Sequence, residues 1–189
     1  MAGNKYAKYS FPGAVPREGE GTGEMIGHFD GSVFEGSNEY GCRWIYQKPR
    51  NVPGWTEWDQ VIHGPHTHKY PEILFHLGTD PENPMDLGAE VVFHMGPEME
   101  EHVITRSTLV FIPANLVHGW WYIRKVTRPF ILFGINQSGN HTEKSFPELV
   151  PEEIRERLMY IDQGYDSPEK ITHWPAGVAS NYGNSKGVR

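Results

Sequence analysis

Sulfur, long apolar runs and concentrated positive charge are all scarce in this chain. A single cysteine, Cys42, excludes an intramolecular disulfide and a thiolate-rich metal site, and it suits a reducing compartment. No stretch approaches the roughly 20 apolar residues of a membrane span. The opening MAGNKYAKYSFPG holds no apolar run of signal-peptide length. No membrane partner and a cytoplasmic location are therefore expected. The formal charge is −7, and Lys48, Arg50, Arg124, Lys125 and Arg128 are scattered rather than massed, which argues against nucleic acid as a partner. The one Gly-x-Ser-x-Gly spacing, at 183–187, falls in a tail with no readable strand-turn-helix context, and Gly19, Gly21 and Gly23 lead into a β-prone run rather than a helix, so neither serine-hydrolase nor phosphate-loop chemistry is indicated.

What the chain does have is aromatic residues (13%), 21 glycines, 15 prolines and 10 histidines in 189 residues, the size of one domain. The β-prone runs MIGHF, SVFEG, YGCRWIYQK, EWDQVIHG, EILFHLG, AEVVFHMG, EEHVITRS, TLVFIPA, WWYIRKV and PFILFGI are separated by Gly, Pro or Asn/Asp. Short strands punctuated in this way predict an all-β sandwich or barrel. Three segments follow: an N-terminal arm over 1–22, a β-barrel over 23–138 and a C-terminal extension over 139–189. In the extension, VPEEIRERLMY predicts a helix, with Pro151 at its start, acids in the first turn, and Ile154, Leu158 and Ile161 at helical spacing.

The chemistry-bearing pattern is GPHTHKYPE followed by FIPANLVHG. His66, His68 and Glu72 share a parity, so a strand would turn all three to one face, and His118 ends the second segment. Three imidazoles and one carboxylate suit a divalent transition metal. A His-x-His pair by itself also occurs as solvent-facing or hydrogen-bonded core histidine. The shared parity of Glu72, the closing Gly78 and the second segment favour the metal reading.

Together these residues resemble the cupin superfamily. Gly64, His66, His68, Glu72 and Gly78 follow its first motif, and Pro113, Asn115 and His118 its second. Asn115 stands in place of a glycine, Ser107 in place of an earlier one, and Tyr122 in place of the terminal asparagine. The resemblance covers roughly 25–136 and implies a jelly-roll barrel in which His66, His68, Glu72 and His118 hold one metal ion. Iron(II) is favoured, with manganese, zinc, nickel, copper or cobalt as alternatives. It further implies a metal-dependent enzyme acting on a small oxygenated, carbonyl, enol or aromatic acid. Dioxygenase chemistry stands slightly ahead of a decarboxylase, isomerase or lyase, and a non-catalytic binding module is the third reading. Paired barrels, here a homodimer, are common in the group.

Parity also nominates pocket walls. If β-structure continues unbroken from His118, then Trp120, Tyr122 and Arg124 share its face. Tyr122 would serve as a proton or hydrogen-bond donor and Arg124 as a carboxylate receiver. Trp58 and Gln60 share parity with His66, and His76 shares it with Glu72. His94 and His102 fall on neighbouring strands. His63 has the opposite parity from the ligands, while His28, His141 and His173 lie outside both motifs.

Overall fold

The structure is a computed structural model that describes residues 24–49, 58 and 62–175. The arm over 1–22, Gln60 and the residues after 175 lie outside this range. In chain order the strands are β1 (Glu24–Phe29), β2 (Glu39–Ile45), β3 (Ile62–His63), β4 (His66–Thr67), β5 (Glu72–Leu77), β6 (Asp86–Met95) and β7 (Glu100–Arg106). They continue with β8 (Thr108–Ile112), β9 (His118–Val126), β10 (Phe130–Asn136), β11 (Lys144–Ser145), β12 (Leu158–Asp162) and β13 (Ile171–His173). No helix among the described residues is long and apolar enough to cross a membrane.

One sheet runs β1-β2-β10-β5-β8; the other runs β11-β4-β9-β3-β12-β13, with β6 bridging β9 to β7. Pairing is antiparallel throughout, except that β12 lies parallel to β3. This two-sheet arrangement is the jelly-roll barrel that the cupin resemblance implies. Ile45, Leu87, Val91, Phe93, Ile112, Trp121 and Phe130 fill the space between the sheets. Alternation along each strand supplies them, which is how a half-buried sheet makes a core.

Two expectations are corrected. SVFEG is not a strand: residues 31–36 form turns, where Asp30 Oδ1 accepts from the backbone N–H and the hydroxyl of Ser32. The predicted helix stops after one turn, Glu152–Arg155, and Leu158 and Ile161 belong to β12. Leu158, Met159, Tyr160 and Ile161 are all buried, so a continuous apolar run overrode the helical spacing and was drawn into the sheet beside β3.

Gly78 closes β5 where the chain leaves for the loop to β6. Its N–H donates to Ser107 Oγ, and a Cβ there would overlap the carbonyl of Asp86. Backbone cannot retreat as a side-chain tip can. Gly78→Ala is therefore expected to cost about 2 kcal/mol, in the range of overpacking changes, read as a lower urea midpoint at unchanged m-value.

Candidate metal centre

His66 and Thr67 form all of β4, and the chain turns before Glu72 opens β5, so the two ends of the first motif sit on different sheets. His66 faces His118 directly in the β4–β9 pair. Asn115, with φ of 63°, makes the turn into β9 in the left-handed region that asparagine tolerates, and its N–H donates to the carbonyl of His68.

The four residues converge in the barrel interior, their ligand atoms within 4.8 Å of one another. Ring centroids of His66 lie 4.9 Å from His68 and 4.4 Å from His118, and Glu72 Oε2 lies 3.1 Å from His118 Nε2 and 3.6 Å from His68 Nε2. Each Nδ1 faces a backbone carbonyl: Gly64 for His66 (2.8 Å), Thr142 for His68, and Leu116 for His118 (3.0 Å). A carbonyl only accepts, so every Nδ1 carries the hydrogen, and in the neutral ring every Nε2 presents a lone pair inward. His118 Nε2 is buried with no hydrogen-bond partner among the described residues, and three lone pairs beside a carboxylate would be satisfied by a cation placed among them. The residues present fit a divalent metal.

The electrostatics agree. Burial pushes His66 well below the usual imidazole value, assisted by His63, which keeps it a neutral donor. Burial alone would raise Glu72, but His118 and His68 hold its carboxyl well below the usual range, so it is an anion. Burial also opposes charge on His68, yet the Glu72 carboxylate outweighs it and lifts His68 upward; positive charge is favoured at that point.

The cavity in front of these ligands has a volume of about 200 Å³, and its described lining includes His28, Glu39, Arg43, His63, His141 and Glu143. Trp120, Tyr122, Arg124, His76, His94, His102 and Trp58 are absent from that lining. The cause for the first three is a break in β9: Gly119 (φ 114°) and Trp120 (φ 45°) both lie at positive φ, and the register against β6 slips between Tyr122 and Gly119. At Gly119 a Cβ would come 2.7 Å from the carbonyl of Gly64, so only glycine lets β9 approach the His66 turn. The bulge flips the alternation, and Trp121 and Ile123 enter the core instead.

Trp120 and Tyr122 pack against Val150, Leu158 and Tyr160 on the other face, and Arg124 is 39% exposed, paired with Glu90 (3.0 Å) and Glu101 (2.9 Å). His94 stacks on Trp120 at 4.7 Å and faces its carbonyl. His102 is on the surface beside Glu100. Trp58 is core, its indole donating to the Tyr46 carbonyl. His76 is fully buried and accepts from the Trp121 indole at 3.0 Å.

His63, His141, His28, Glu39 and Glu143 are among the cavity residues that the sequence did not single out. His63 Nε2 lies 2.6 Å from Glu143 Oε1, and its ring stacks on His66 at 4.1 Å. His141 bridges Glu39 and Glu143, 3.0 Å to each, and both its nitrogens must donate. Burial opposes that charge, but Glu143 and Glu39 lift His141 to about 10. His63 with His66 and Glu143, or His68 with His141 and Glu143, also approach ligand spacing. With Nδ1 committed to a carbonyl, though, His66 and His68 each have one nitrogen to give, so they serve one ion.

Protein-family models gave no match to the chain, and neither did curated protein sequences. Among solved structures it is similar to an uncharacterized conserved protein with a double-stranded β-helix domain from Klebsiella pneumoniae (12% identity, covering 69% of this chain and 88% of that chain, TM-score 0.40). It is also similar to a cupin-like protein from Thermotoga maritima (15% identity, 78% and 96% covered, TM-score 0.44). A third is oxalate oxidase in complex with glycolate (13% identity, 77% and 66% covered, TM-score 0.45).

Proposed function

We propose that this chain is a mononuclear metal enzyme of cupin type that acts on a small oxygenated acid, with dioxygenase chemistry favoured and iron(II) as the ion. The observation that carries the reading is the convergence of three inward Nε2 lone pairs on the Glu72 carboxylate. Such an ion supplies Lewis acidity and, if iron or manganese, a means of activating dioxygen. The protein supplies the rest. Leu74, Leu132, Met159 and Ile161 give the cavity apolar walls, while Arg43 and Lys170 bring positive charge to its lining. A cavity of about 200 Å³ restricts the substrate to a small molecule.

Metal analysis of protein purified without added metal, joined to oxygen-electrode assays over 2-oxo, 1,3-dicarbonyl and catecholic acids, tests this. Bound iron with substrate-dependent oxygen consumption is expected. Turnover without oxygen uptake would move the assignment to a decarboxylase, isomerase or lyase. Protein that retains and binds no metal would overturn it.

A further inference from the structure

Five residues outside the ligand set form a continuous polar ladder along the cavity. His28 Nε2 lies 3.3 Å from Glu39 Oε1, and Glu39 Oε2 lies 3.0 Å from His141 Nδ1. His141 Nε2 lies 3.0 Å from Glu143 Oε2, and Glu143 Oε1 lies 2.6 Å from His63. The rungs come from β1, β2, the segment after β10 and β3, so the ladder ties four separate parts of the chain together.

The ladder reaches the ligands at its middle and at its His63 end. Thr142, held between His141 and Glu143, provides the carbonyl that accepts from His68 Nδ1. His63 lies parallel to His66, the planes 17° apart, which limits rotation of that ring. Burying Glu39 and Glu143 is costly, and well-packed apolar residues would hold the segment at least as firmly. What the charged rungs add over apolar ones is direction.

We propose that the ladder His28–Glu39–His141–Glu143–His63 is a positioning device for the metal: it aims the groups that orient His68 and His66, and so sets affinity and coordination geometry. This rests on the metal reading above. The backbone pairs of Glu143 with Gln163 and of Ser145 with His66 keep the segment docked when a ladder side chain is removed. What is lost is the hold of His141 on the other side of Thr142.

The test is cobalt(II) binding by the full-length protein, read as affinity in a competition titration and as the visible spectrum of the bound ion. His141→Phe is expected to weaken binding about 10- to 100-fold and to shift the bands, as loss of groups that orient ligands typically does. The isosteric Glu39→Gln, remote from the ligands, is expected to do the same to a smaller extent. His102→Ala, a surface histidine, should change neither. Wild-type affinity and spectrum in either folded ladder variant would overturn the inference while leaving the metal site standing. Wild-type protein that takes up no cobalt would instead overturn the metal reading itself.

Discussion

Replacing His118 by alanine is expected to lower metal affinity about 100- to 1,000-fold. Sites with four protein donors bind zinc with about 10–16 kcal/mol, so one donor accounts for about 3–4 kcal/mol, and each 1.4 kcal/mol is a factor of ten. His118 is a clean choice because it is almost fully buried, its Nδ1 is committed to Leu116, and its Nε2 faces Glu72. A competition titration with zinc or cobalt measures the loss, and melting of the metal-free variant separates it from unfolding. His76→Gln, at a histidine away from the cavity, should leave affinity unchanged. A loss of less than tenfold at His118 would remove it from the ligand set.

The second large effect concerns acid. Burial holds His76 down to about 4, against about 6.5 in the unfolded chain. Its Nε2 accepts from Trp121, so Nδ1 carries the hydrogen, and Nδ1 has no hydrogen-bond partner among the described residues. Between these two values the unfolded chain binds more protons than the folded one, so stability falls as pH falls. The contribution is fully present above about pH 6.5 and is lost as pH drops toward 4, for a total of about 3 kcal/mol. His76→Gln keeps an acceptor for the indole but does not titrate. Urea unfolding at a series of pH values, wild type against His76→Gln, isolates the effect as the difference between two curves. Parallel curves from pH 7 to 4 would refute it.

The ligands were legible in the sequence because their geometry is local. His66, His68 and Glu72 are fixed by short spacing, and His118 by the Pro113–Asn115 turn. The walls were not legible, because one inserted residue in β9 reverses the alternation from Trp120 to Ile123, and a second register slip follows at Arg124. The signal available was Gly119, directly after a ligand and ahead of two tryptophans. His63 was set aside by a parity argument that assumes one strand, whereas β3 and β4 are separate and the chain turns between them. Glu39, His141 and Glu143 could not be placed, because their roles depend on contacts between distant parts of the chain. The continuous apolar LMYI was a readable strand signal that the neighbouring helical spacing obscured.

In order of synthesis, all four ligands precede His141, Thr142 and Glu143, the segment that orients His68. His63 meets Glu143 across eighty residues, and His68 meets Thr142 across 74. Closing such spans costs more chain entropy than forming the β1–β2 or β6–β7 hairpins, so it comes late in folding. His68 therefore gains the carbonyl that fixes its ring only after those hairpins have closed.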